Sequence, residues 1–124
     1  MKAEKHYKRA LEIKRSVCNE DDPSTAISYE NLGTLYEHTA RPKSALACYK
    51  RAMKTYMLAF GEKSHESACL YFDIGRLYRD LGNIKQARKN MLIALKQCTD
   101  LYGKEHEKTI RIRKEVLHLS SRSG

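Results

Sequence analysis

The sequence repeats with a period of 42 residues, and that period limits the folds open to it more than any single side chain. Ala3, Ala45 and Ala87 form one series, Ala10, Ala52 and Ala94 a second, and Tyr7, Tyr49 and Met91 a third. Leu32, Ile74 and Val116 follow the same step, as do the pairs Tyr29/Tyr71, Gly33/Gly75 and Tyr36/Tyr78. A repeat of this length is a supersecondary unit that buries its apolar face only against its neighbours, so the period implies a stacked solenoid. Such stacks present extended surfaces, which suits a binding module better than an enzyme.

Two kinds of helix alternate within the period. The first kind covers residues 24–38 and 66–81, where Ala26, Tyr29, Leu32 and Tyr36, then Ala68, Tyr71, Ile74 and Tyr78, form one apolar stripe each. The second kind covers residues 2–18, 42–59 and 84–101. A last first-type helix over 108–120 keeps an apolar face in Ile110, Val116 and Leu119, but has Leu117 and Ser120 where Gly33 and Tyr36 stand. It is read as a capping helix, followed by a disordered tail over 121–124. The expectation is therefore about six helices in an array over residues 1–121, built as an unpaired second-type helix, two repeats (24–59 and 66–101) and a cap. Composition adds that 124 residues should form one compact unit.

Local signals mark the joints. Asp22 and Ser64 are expected as N-caps, Pro23 and Pro42 fit first turns, and Asn83 with Gln86 resembles a capping box. Gly61, Gly82 and Gly103 fall where chains leave helices. Gly33 and Gly75 instead interrupt strong helical patterns, at about 1 kcal/mol each relative to alanine. A cost repeated at one repeat position implies that bulk is excluded there. Ala45 and Ala87 offer surfaces for the close approach, with Tyr36, Tyr49 and Tyr78 filling the space around it.

The segments NLGTLYEHTARPKSALACYKRAM (31–53) and DIGRLYRDLGNIKQARKNMLIAL (73–95) carry these residues in an order that resembles the tetratricopeptide repeat. Gly33, Tyr36, Ala45, Tyr49 and Ala52 keep the family's order in the first; Gly75, Tyr78, Gly82, Ala87 and Ala94 keep it in the second, with Met91 replacing the aromatic. The usual repeat is about 34 residues. A step of 42 resembles the longer subtype of kinesin light chains, whose connector is shared among Pro23, Thr25 and Ala26, Gly61 and Ala68, and Gly103, His106 and Thr109. The resemblance implies an all-α, right-handed superhelical solenoid of antiparallel helix pairs, with first-type helices lining a concave groove and second-type helices outside. It also implies a longer native array and protein or peptide partners.

No catalytic pattern accompanies the repeats. The five histidines show no metal-ligand spacing, and Cys18, Cys48, Cys69 and Cys98 form no CxxC pair. His106 and Pro23 are read as turn residues. No enzyme activity, cofactor or metal is expected. No apolar run approaches the roughly 18 residues of a membrane span, and the charged N-terminus lacks a secretion signal's apolar core. Thiols on predicted helices point to a cytoplasmic or nuclear setting.

The net charge of +9 falls mostly on second-type helices, through residues such as Lys50, Arg51, Lys54, Lys85, Arg88, Lys89 and Lys96. A solvated outer face is the favoured reading, ahead of a surface for nucleic acid or anionic lipid. A passive spacer within a larger protein is a third reading. The helix face opposite each packing stripe gives the candidate groove: Ile27, Glu30, Asn31, Thr34, Glu37 and His38, then Cys69, Phe72, Asp73, Arg76, Arg79 and Asp80, then Arg111, Lys114, Glu115 and His118. Asn31 matches the asparagine with which the family holds a peptide backbone, whereas Asp73 and Glu115 replace it in later copies. Phe72 is read as an apolar contact, with packing against a neighbouring repeat as its alternative. Arg76, Arg79, Arg111 and Lys114 are read as attracting acidic side chains on the ligand.

Overall fold

Proline and short polar side chains start the helices at the expected joints. The Asp22 carboxylate accepts the Ser24 N–H at 2.9 Å, and Pro23 takes the first turn, where no helical donor is lost. Ser64 and Ser67 cap reciprocally: each hydroxyl accepts the other's backbone N–H, at 3.0 and 3.1 Å. Asn83 accepts the Gln86 N–H at 3.2 Å. The computed structural model describes residues 3–9 and 22–123. Residues 3–9 are helical (α1), followed by α2 (Pro23–His38), α3 (Pro42–Phe60), α4 (His65–Asp80), α5 (Ile84–Tyr102) and α6 (Glu107–Ser123), with no strand among the described residues.

Helices α2 to α5 end within one residue of the positions read from sequence. The remainder of the opening helix, to residue 18, lies outside the described residues. α6 departs from expectation, because residues 121–123 continue the helix instead of forming a disordered tail. No proline or glycine intervenes before Gly124 to stop it.

A single compact unit was expected from length, but contacts divide the chain into Met1–Glu62 and Lys63–Gly124. The physical reason is the repeat itself: each hairpin satisfies its apolar face with sequence-local partners. In the first unit, α2 packs on α3 around buried Ala26, Leu32, Tyr36, Ala45, Tyr49, Ala52 and Met53. In the second, α5 lies against both α4 and α6, and Ala68, Phe72, Ala87, Met91, Ala94, Cys98, Ile112, Val116 and Leu119 form one core. Burying a side chain the size of Met91, which is fully enclosed, contributes roughly 1.5–3 kcal/mol. A buried polar bridge crosses the same hairpin, where the Ser67 hydroxyl donates to Gln97 Oε1 at 2.7 Å.

The two central glycines have the role their repetition implied. A Cβ on Gly33 would sit 2.8 Å from a Tyr49 ring carbon, and one on Gly75 would sit 2.6 Å from Met91 Cγ. The joints after α2 and α4 are also alike. Arg41 N–H donates to Tyr36 O at 2.8 Å and Ala40 N–H to Glu37 O at 3.2 Å; Asn83 N–H donates to Tyr78 O at 2.8 Å and Gly82 N–H to Arg79 O at 3.0 Å. These are the two bonds of a Schellman end, which requires positive φ at its turning residue. That residue is Gly82 (φ 84°) in one joint and Ala40 (φ 56°) in the other.

Candidate functional site

The helical spacing of α2 places Ile27, Asn31, Thr34 and His38 on one stripe, and all four are exposed. Thr34 is nevertheless anchored, since its hydroxyl lies 3.1 Å from the Tyr49 hydroxyl, which itself donates to Glu37 at 2.6 Å. Asn31 and the 48 % exposed Ile27 are the accessible amide and apolar group of this stripe.

In the second unit the structure brings together five of the expected residues and adds three that sequence reasoning missed. Phe72, Asp73 and Arg76 of α4 line a cavity of about 300 Å³ with Arg111 of α6, joined by Cys98 of α5 and by Lys108 and Ile112 of α6. Cys69, one turn before Asp73, completes the wall. Phe72 does not face outward as an independent contact. It is only 8 % exposed and belongs to the core, because α6 covers the side of α4 that a single-helix reading leaves open. The Arg76 and Arg111 guanidinium carbons lie 5.8 and 5.5 Å from its ring centre. Lys108 was read as the first residue of the capping helix and Cys98 as a thiol on a predicted helix. The signal for Lys108 was its position three and four residues before Arg111 and Ile112, which puts all three on one face of α6.

Carboxylates occupy two of the four expected cations. Arg76 pairs with Asp73 at 2.9 Å, and Arg79 reaches across to Glu115 of α6 at 2.9 Å. Arg79 is thus an α4–α6 tie, and its role as attraction for a ligand is corrected. Asp73 and Glu115, the counterparts of Asn31 in the later copies, are the two acids used. Lys114 does not join the Phe72 cavity; it lines a separate depression with Glu105, Glu107, Ile110, Arg111 and Glu115. Among the described residues, Lys108 and Arg111 have no carboxylate partner, and Lys108 lies 5.6 Å above the Tyr102 ring.

The floor of this region is built for packing. Cys98 is 2 % exposed, and burial pushes its thiol above the ordinary value against a smaller opposing effect of Lys108. Burial likewise raises Tyr102, whose ring stacks on His106 with centroids 4.7 Å apart. His106 has the turn role expected of it, accepting the Lys108 N–H at 3.1 Å. Cys48, Cys69 and Cys98 carry thiols rather than disulfides, and Cys18 lies outside the described residues. No group of three or more potential metal ligands occurs among the described residues, and none of their helices is long and apolar enough to cross a membrane. On α3, Lys43, Lys50, Arg51 and Lys54 are exposed, and Arg51 lies 5.6 Å over the Tyr29 ring.

Comparison with known proteins agrees with this architecture. Two models of the tetratricopeptide repeat match residues 1–57 and 70–104. The clustered mitochondria protein homologs of Emericella nidulans and Aspergillus niger are 28 % and 26 % identical over 106 residues, 85 % of this chain. The chain spans only 9 % and 8 % of those relatives' length. The crystal structure of BtubC (BKLC) from P. vanneervenii superposes with a TM-score of 0.86 at 22 % identity, covering 98 % of this chain and 48 % of that one. A Podosopora anserina putative kinesin light chain with nearly identical repeats gives 0.83 at 13 % identity, covering 95 % and 56 %. At these identities the likeness to solved structures is one of fold, an all-α solenoid of the kinesin-light-chain type.

Proposed function

The chain belongs to the tetratricopeptide repeat family, and from that premise we propose that it is a non-catalytic interaction module whose second unit binds an extended acidic peptide across α4 and α6. The observation that carries this reading is the cavity over Phe72, where Arg111 and Lys108 stand without carboxylate partners beside an apolar wall. A peptide with an acidic side chain next to an aliphatic one matches both features: the charge meets the two cations, and the apolar group meets the edge of Phe72 and Ile112. The first unit, taken by itself, offers a peptide the Asn31 amide and an apolar contact at Ile27. In this reading the module works in the cytoplasm, where the thiols of Cys48, Cys69 and Cys98 stay reduced. It serves within a longer protein, as the matching segment does in the fungal relatives.

The test is binding of a degenerate peptide pool with a fixed Glu-Leu-Glu centre, compared between the native chain and Arg111→Glu. Arg111 is exposed, so the variant keeps its helical content, and reversing one contacting charge should weaken binding about tenfold. Equal retention by both proteins refutes the assignment.

A further inference from the structure

The charge lining the α4–α6 cavity exceeds what a carboxylate neutralises. Arg76, Lys108 and Arg111 bring three positive groups to one space of about 300 Å³, against a single acid, Asp73, which is already paired with Arg76. Glu115 of α6 is held by Arg79 at 2.9 Å, and Glu105 and Glu107 line the neighbouring depression on the other side of Arg111 without an ion pair to it. Two charges, those of Lys108 and Arg111, are left for a ligand. A glutamate or aspartate supplies one negative charge, whereas a phosphate monoester supplies about 1.5 to 2 at pH 7 with three acceptor oxygens.

Geometry favours the same ligand. The Arg76 and Arg111 guanidinium carbons lie 5.8 and 5.5 Å from the centre of the same Phe72 ring, so two planar donor sets border one aromatic side chain of the cavity wall. Guanidinium groups form paired hydrogen bonds with phosphate oxygens, and a lysine adds a mobile point charge. The volume is at the small end of the roughly 300–1,000 Å³ typical of ligand pockets, which suits one side chain. We propose that this cavity takes a phosphorylated serine or threonine of the peptide partner, so that phosphorylation switches binding on; the inference rests on the peptide-binding reading above.

The experiment uses three degenerate peptide pools that share random flanks and differ at one fixed central residue: serine, glutamate or phosphoserine. The native chain should retain the phosphoserine pool about tenfold more than the glutamate pool. K108Q combined with R111Q should bring that ratio close to one while the thermal melt stays unchanged, since both side chains are exposed. Equal retention of the phosphoserine and glutamate pools, both above serine, would overturn phosphate selectivity and leave acidic-peptide binding standing. Retention of none of the pools would overturn both readings. A phosphoserine preference that survives K108Q/R111Q would place the phosphate elsewhere and overturn this site. Sedimentation of the chain with phosphoinositide vesicles, without retention of the phosphopeptide pool, would assign the cations to a lipid headgroup and likewise overturn the proposal.

Discussion

Replacing Gly33 by alanine sets two opposed effects against each other, and the structure decides which prevails. In a helix interior, alanine is favoured over glycine by about 1 kcal/mol, so an unobstructed site would gain stability. Here the new methyl would lie 2.8 and 2.9 Å from two ring carbons of Tyr49 and 3.3 Å from Cys48 Cβ. Tyr49 is 3 % exposed, and its hydroxyl is held by Glu37 at 2.6 Å and by Thr34 at 3.1 Å. The ring can retreat only by loosening a hydrogen bond to a carboxylate, an interaction of about 1.5–3 kcal/mol. Overpacking of a close-packed core costs typically about 1–3 kcal/mol. Against the propensity gain, the net result should be a loss of about 1–2 kcal/mol. With a urea slope of roughly 1–3 kcal/mol per molar, the midpoint followed by far-ultraviolet circular dichroism should fall by about 0.5–1 M. In a Tyr49→Leu background the obstruction is gone, and the same substitution should become neutral or favourable. A rise of about 1 kcal/mol in the native background, the bare propensity effect, would refute the close approach of α2 and α3.

Two further outcomes can be measured on the first unit. Ala40 has φ 56° at the position that Gly82 occupies in the next repeat; since a Cβ in the left-handed region costs about 1–2 kcal/mol, Ala40→Gly should raise stability by up to about 1 kcal/mol after the unfolded-state entropy of glycine is deducted, and an unchanged or lower melting temperature would contradict the strain. Glu4 accepts the Tyr36 hydroxyl at 2.8 Å and lies near Lys8 and Arg41, at 3.1 and 3.2 Å. The Tyr36 hydrogen bond, ahead of the Lys8 and Arg41 charges, holds its carboxyl below the ordinary value near 4.5. The stabilisation is therefore complete above that value and lost as pH falls through the lower folded pKa. Glu4→Gln should lower the melting temperature at pH 7, and the gap should close as acidification below the ordinary carboxylate range protonates Glu4 in the folded state; a gap of constant size throughout the acid titration would contradict the linkage.

What could be read in advance was whatever depends on one helix and its own ends. Pro23, Ser64 and Asn83 act on the first turn that follows them, and Gly33 and Gly75 act through a single neighbouring helix, so periodicity was enough to find them. The packing alternative holds for Phe72, and Arg79 was misread, because the surroundings of both come from α6, 36 or more residues further along the chain. A helical wheel of α4 shows a phenylalanine and an arginine opposite the packing stripe; it does not show that α6 covers the ring and supplies Glu115 to the guanidinium. Leu117 of α6 occupies the position of Gly33 and Gly75 and is 63 % exposed. On α4, a single methyl at that position would come within 2.6 Å of Met91 and 3.1 Å of the Ala87 carbonyl oxygen. Leu117 thus places a bulky, exposed side chain at the repeat position where α4 needs a glycine to admit α5.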